Sequence, residues 1–211
     1  MTKIRAVVFD QGETLINETR FWSSVAAYAG VPDFTLFGVL GGLIERRENH
    51  RSVFNIMQIE SVDPGIIGYQ VEKRDLYPDV VRTLTRLKHD GYILATAGNQ
   101  SASVEGEMAA LELPVDFNAT SAGWGLSKPD PAYFRRIAEE LKMAPEEVLY
   151  VGDRLDNDIL PSLGVGMHAA FIRRGPWGYL HSTWPEMAEV EHQITDLGQL
   201  PQAIATIEGE G

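Results

Sequence analysis

The sequence predicts an α/β fold: a doubly wound parallel sheet with a helical insertion after its first strand. Three observations predict it. Four short, continuous apolar runs recur along the 211 residues, and such runs suit strands buried on both faces. Segments with helical periodicity separate the later runs, and strand–helix alternation is the pattern of a parallel sheet. One stretch, residues 17–75, carries helical signals and no convincing strand.

Taken in order, "IRAVVF" (4–9) is rich in β-branched residues and predicts the first strand. Next, "ETRFWSSVAAYAG", "FTLFGVLGGLIERREN", "RSVFNIMQIE" and "PGIIGYQVEKRD" read as four helices separated by Gly, Pro and Asp signals. Gly38, Gly41 and Gly42 weaken the second of them. "PDVVRTLTRLKHDG" sets Val81, Leu84 and Leu87 at helical spacing, with Gly91 as the stop. "YILATA" (92–97) is the second strand. "DPAYFRRIAEELK" puts Phe134, Ile137, Ala138 and Leu141 on one helical face, with Pro131 near its start. "VLYVGD" (148–153) and "MHAAFI" (167–172) are the third and fourth strands, joined by a short helix with an internal proline in "NDILPSLGVG". "GQLPQAIATIEGEG" closes the chain with an amphipathic turn or two. The expected division is a core of residues 1–16 and 76–211 and a helical module of 17–75.

Composition narrows the function. Hydrophobic residues make up 44% and charged residues 23%, which is ordinary globular usage. Eighteen Lys and Arg against 30 Asp and Glu give a formal charge of −12, a surface that repels nucleic-acid backbones. There is no cysteine, hence no disulfide, thiolate metal site or thiol nucleophile. The apolar run at the N-terminus is too short for a signal peptide or a membrane span. The expectation is a cytoplasmic protein, monomeric or homodimeric, that works on a small molecule and binds neither nucleic acid nor membrane.

In open parallel sheets ligands bind beyond the carboxyl ends of the strands. Asp10 follows the first strand, Gly98 and Asn99 the second, and Asp153 ends the third, with Asp156 and Asp158 just beyond. Lys128 lies in the loop "LSKPDP". Two converging carboxylates repel unless a cation separates them. Mg²⁺ suits them, because it takes hard oxygen ligands and leaves other positions to water or substrate. An aspartate used as nucleophile splits one displacement into two easier steps through a covalent intermediate.

These residues resemble the haloacid dehalogenase-like (HAD) hydrolase superfamily. Its phosphatases carry an apolar strand ending in D-x-D-x-T, matched by "VVFDQGETL". The family's second motif is a strand ending in Ser or Thr, matched loosely by "LATAGNQ". Its third is a Lys before Pro, matched by "SKPDP". Its fourth is an apolar strand with G-D and a later D, matched by "LYVGDRLDND". The four come in family order over nearly the whole chain. The resemblance implies a Rossmann-like core with the 17–75 module as a helical cap that closes over the substrate. It makes Asp10 the nucleophile and Lys128 the residue that steadies it. It implies Mg²⁺ held by Asp10, the Gly12 carbonyl, Asp153 and Asp158, the last of which supports the metal site or Lys128. Gly98, Asn99 and Thr14 fall at substrate-binding positions, with Thr14 organising the loop.

Two positions depart from the family. Gly12 stands where phosphatases have the Asp that protonates the leaving group and then activates water, and glycine has no side chain for that work. Glu13 is adjacent, but successive residues in a turn rarely point the same way. Gly98 stands where a hydroxyl contacts the phosphoryl group; the sequence leaves open whether backbone N–H groups at Gly98 and Asn99 partly replace it or whether Gln100 or Ser101 reaches in from the start of the next helix. The leading reading is an Mg²⁺-dependent phosphatase acting on a small phosphorylated metabolite. The alternatives are a catalytically weak, ligand- or metal-binding relative and a metal-free dehalogenase. For the dehalogenase, Arg20, Arg46, Arg47 and Arg51 are cap-side candidates, although "ERRENHR" reads first as a solvated helix face. Lys73, expected against one side of a helix, argues against Schiff-base chemistry. Trp22, Phe21 and Tyr28 read as cap core, and "RRGPWGYLH" as a surface loop.

Overall fold

The computed structural model describes residues 3–60, 67–101 and 103–209. Six parallel strands form one sheet in the order β3-β2-β1-β4-β5-β6. They are β1 (Ala6–Phe9), β2 (Ile93–Gly98), β3 (Phe117–Thr120), β4 (Val148–Gly152), β5 (His168–Ile172) and β6 (His192–Ile194). Successive side chains of β1 alternate between faces. Val7 and Phe9 join a cluster with Leu84, Leu87 and Ile204, whereas Ala6 and Val8 join Phe134 and Ile137 on the other side. All of β1 is fully buried, which explains why its sequence is a continuous apolar run and not an alternating one.

Ten α-helices accompany the strands among the described residues: α1 (Thr19–Ala29), α2 (Asp33–Glu45), α3 (Ser52–Ile56), α4 (Val80–His89), α5 (Ser103–Ala110), α6 (Ser121–Trp124), α7 (Pro131–Leu141), α8 (Leu160–Gly164), α9 (Gly175–His181) and α10 (Leu200–Glu208). α4 and α7 bury the residues expected from their periodicity: Leu84 and Leu87 in α4, and Phe134, Ile137, Ala138 and Leu141 in α7. Val81 is the exception and lies exposed. Pro131 opens α7, and the Asp130 carboxylate caps it by accepting the Ala132 N–H at 2.8 Å.

Helices α1 to α3 form their own apolar cluster. Leu36, Leu40, Leu43 and Ile44 of α2 recur on one face and meet Trp22, Val25 and Val53. Two backbone hydrogen bonds and a bridge tie the chain where it leaves and rejoins the sheet: Asn17 N–H to Asp75 O at 2.7 Å, Tyr77 N–H to Leu15 O at 3.0 Å, and the antiparallel pair Ile16 and Leu76.

Several expectations need correcting. The fourth helix of the insertion is absent from its described part, residues 67–75; residues 64–66 lie outside the described residues. Only one 3₁₀ turn forms there, Lys73–Asp75, because the Asp75 carboxylate accepts the Glu72 N–H and closes the turn on itself. Lys73 is exposed and pairs with Glu112. Tyr28 is exposed, while Trp22 is buried as expected. The segment "RRGPWGYLH" is no surface loop: it contains α9, with Trp177 against the α1–α3 cluster and Arg174 and His181 buried. Strands β3 and β6, which the sequence did not suggest, are short edge strands. No single helix among the described residues is long and apolar enough to cross a membrane.

Candidate active site

Strand β1 ends by handing Asp10 to the rim of the sheet, where its N–H donates to Val151 O of β4 at 2.8 Å. β4 likewise delivers Asp153, and a π-helical turn, residues 155–159, turns Asp158 back toward it. Gly152 makes that return possible: a Cβ there would lie 2.6 Å from both Cβ and Cγ of Asp158. Lys128 reaches in from the loop before α7. Its ammonium donates to Asp10 Oδ1 and Asp158 Oδ1, each at 2.6 Å, and to the Tyr150 hydroxyl at 3.1 Å. Tyr150 donates its own proton to Ala97 O at 2.8 Å. Asp158 is also held from behind, where its Oδ2 accepts the Arg154 N–H at 3.0 Å.

Asn99 fixes this lysine through the backbone. Its amide accepts the Lys128 N–H and donates to Lys128 O, both at 2.8 Å. The Asn99 side chain is therefore spent on the Lys128 loop. Thr14 is fully buried, and its hydroxyl is sealed from solvent without a hydrogen-bond partner among the described residues. Its carbonyl accepts from Arg174, whose guanidinium also pairs with the Asp79 carboxylate. Thr14 thus stands beneath the loop and not at its open face.

Both glycines that break the family pattern are explained by a neighbouring side chain. A Cβ on Gly98 would lie 2.7 Å from Gln11 Oε1 and 3.2 Å from its Cγ. The Gln11 amide, held by the Thr96 hydroxyl at 3.0 Å and Ala119 O at 3.3 Å, crosses the space a Ser or Thr would fill. A Cβ on Gly12 would lie 2.3 Å from Glu18 Oε1 and 2.9 Å from its Cδ. Glu13 takes no part there. It turns to the Tyr77 hydroxyl and over Gly175, and accepts the Glu18 N–H at 3.0 Å.

The electrostatics follow from crowding. Burial alone would discharge Lys128, yet Asp10 and Asp158 hold its pKa well above the usual lysine value. Burial, with the charges of Asp158 and Asp10, pushes Asp153 well up. Burial also lifts Asp158 to about 6, Lys128 opposing and Asp10 adding to the rise. Glu18 is lifted to about 8 by burial and by the charges of Glu13 and Asp10. Ligand oxygens of Asp10, Asp153 and Asp158 lie within 4.8 Å of one another. Asp153 Oδ2 is buried without a partner among the described residues. One ammonium against three carboxylates leaves positive charge wanting. This all-oxygen donor set fits a hard divalent cation.

Tyr150, Gln11 and Glu18 escape the sequence reading. Tyr150 looks like any core residue of a buried strand. Gln11 and Glu18 could have been found only by asking which larger side chain fills the space a glycine leaves.

A haloacid dehalogenase-like hydrolase family model matches residues 4–162. The chain is 38% identical over 200 residues to a glyceraldehyde 3-phosphate phosphatase of Methanopyrus kandleri, covering 82% of this chain and 86% of that one. It is 28% identical over 231 residues to a glyceraldehyde 3-phosphate phosphatase of Pyrococcus furiosus, covering 97% and 94%. A HAD phosphatase from Thermococcus onnurineus shares the fold with a TM-score of 0.65 at 21% identity, covering 95% of this chain and 98% of that one. Dehalogenase structures share the fold as well, at 22% identity or below.

Proposed function

The chain belongs to the haloacid dehalogenase-like hydrolase family, and from that membership we propose an Mg²⁺-dependent phosphatase for small phosphorylated metabolites, acting in the cytoplasm through an aspartyl phosphate on Asp10. The observation that carries the proposal is the buried contact of Lys128 with Asp10 and Asp158. It keeps one Asp10 oxygen paired with a cation and leaves the other for attack. In this reading the Lys128 ammonium also faces the phosphoryl oxygens and offsets charge that builds there. Tyr150 and Asp158 fix its direction, and Asn99 fixes its backbone. Gly98 and Asn99 would meet the phosphoryl group with backbone N–H groups.

Asp10, Asp153 and the Gly12 carbonyl would hold Mg²⁺, with Asp158 beside them. When bound, the ion supplies neutralisation of the phosphoryl oxygens. Residues 17–75 are proposed as the cap, closing over the strand ends to exclude water. The names of the relatives suggest glyceraldehyde 3-phosphate as the first ester to try, with 2-phosphoglycolate second.

The test is phosphate release from these two esters with Mg²⁺ and with chelator, for the wild type and Asp10→Asn. Chelator-sensitive release abolished by Asp10→Asn is expected. Release that survives Asp10→Asn would overturn the mechanism. Halide release from a 2-haloacid, unaffected by chelator, would replace it with dehalogenation.

A further inference from the structure

Gly12 removes the side chain that the proposed reaction needs to protonate a leaving group, and the structure shows what occupies its place. The Glu18 carboxyl sits 2.3 Å (Oε1) and 2.9 Å (Cδ) from where a Cβ on Gly12 would be. An aspartate at position 12 would have to project its own carboxyl into that space. We propose that Glu18 is the general acid–base of the phosphatase, reaching from the head of α1 into the slot that Gly12 opens. The inference rests on the functional reading above.

Three further observations support it. Glu18 divides its two oxygens: Oε2 accepts the Trp22 indole N–H at 3.3 Å, while Oε1, the atom over Gly12, takes no hydrogen bond among the described residues. Trp22 is itself buried, so the carboxyl is steered from one side and free on the other. As a residue Glu18 is also only half-buried, whereas Asp10, Lys128, Asp153 and Asp158 are buried. Finally, the nearer acid is committed elsewhere. Glu13 binds Tyr77 and accepts the Glu18 N–H, so it anchors the backbone of Glu18 and does not compete for its place.

The steps balance without another reactant. In the first, an Asp10 oxygen attacks phosphorus. The bond to the ester oxygen breaks with its electron pair, and that oxygen takes the Glu18 proton and leaves as the alcohol. In the second, the Glu18 carboxylate takes a proton from water while the water oxygen bonds to phosphorus. The bond to Asp10 breaks, phosphate departs, and Asp10 is again a carboxylate and Glu18 a carboxylic acid.

A general acid matters most when the leaving group is a poor one. The experiment compares glyceraldehyde 3-phosphate, which leaves as an alkoxide unless protonated, with 4-nitrophenyl phosphate, whose phenolate leaves unaided. In Glu18→Gln, turnover of the alkyl ester is expected to fall ~10²–10⁴-fold. 4-Nitrophenolate should still appear as a burst of about one equivalent per active site, followed by slow release, because the base for the second step is missing. A purely structural role of Glu18 would lower both esters alike and give no burst. That outcome, or wild-type turnover in Glu18→Gln, overturns the assignment while leaving an Asp10-dependent phosphatase intact. Silence of the wild type on both esters overturns the assignment and the phosphatase reading together. Should Glu18→Gln fold poorly, Glu18→Ala against Glu18→Ala/Gly12→Asp decides. A carboxylate restored from position 12 should recover alkyl-ester turnover at least tenfold, and no recovery counts against the slot.

Discussion

In a Gly12→Asp variant the new Cβ begins 2.3 Å from Glu18 Oε1, so Glu18 must withdraw before the introduced carboxyl can settle. The backbone does not resist, because Gly12 is absent from the positions with left-handed φ. The cost lies in the slot. Withdrawal breaks the Trp22 indole bond, worth about 1 kcal/mol. Two ionised carboxylates about 4 Å apart repel by about 4 kcal/mol at an effective dielectric of 20, and protonation of one relieves most of that. A net loss of about 2–4 kcal/mol is expected. In a Glu18→Ala background the slot is empty, and the same Gly12→Asp change should cost under about 1 kcal/mol. Urea unfolding of the wild type, both single variants and the double variant closes a cycle with an expected coupling of about 1–3 kcal/mol. Additivity within about 0.5 kcal/mol would refute the shared slot. A simple repair of the family motif by Gly12→Asp is therefore not expected to improve this protein while Glu18 is present.

Other consequences are as direct. Arg174→Ala strands the buried Asp79 carboxylate, which also accepts the Leu197 N–H, and should cost about 3–5 kcal/mol in urea melts. Burial raises Asp79, but Arg174 and the Leu197 N–H bring it below the usual carboxylate value. Its contribution is thus present above the unfolded pKa and fades as pH falls through the folded one; a wild-type stability curve that stays flat below pH 4 would contradict this. His181 is buried and its pKa lowered to about 4, chiefly by burial. Between about pH 6.5 and 4 the unfolded chain binds a proton that the native one refuses, so stability should drop by about 3 kcal/mol on acidification, and by less in His181→Gln. Gly152→Ala pushes Asp158 out of its seat. It should cut phosphate release about tenfold or more by loosening Lys128; unchanged kinetics would show that Asp158 does not position the lysine.

Some of this was legible in the sequence, and physical reasons separate what was from what was not. The four inner strands announce themselves because both faces are buried, which forces continuous apolar runs. β3 ("FNAT") and β6 ("HQI") lie at the sheet edges, where half the residues need not be apolar, and their runs vanish. α9 hides behind Gly175, Pro176 and Gly178, ordinary loop markers. Yet a Cβ on Gly178 would come within 3.0 Å of Ile172 O, so that glycine serves close packing and not a turn. The positions of Asp10, Lys128 and Asp153 were legible because chemistry fixes their residue types and the sheet fixes their spacing. Glu18 was not, because its role is defined by an atom that Gly12 lacks, a relation between two side chains that no one-dimensional pattern records.

The tie between Ile16 and Leu76, flanked by the bonds of Asn17 with Asp75 and of Leu15 with Tyr77, has a mechanical consequence. Any rigid rotation of α1–α3 about that point sweeps each atom through an arc proportional to its distance from the pivot. Phe34, at the far end of the α1–α2 hairpin, travels on a long radius. Glu18, two residues from Ile16, travels on a short one. In the cap motion proposed above, the helices would swing while Glu18 moved least over Gly12, so that admission and proton transfer would be set by different lever arms of one body.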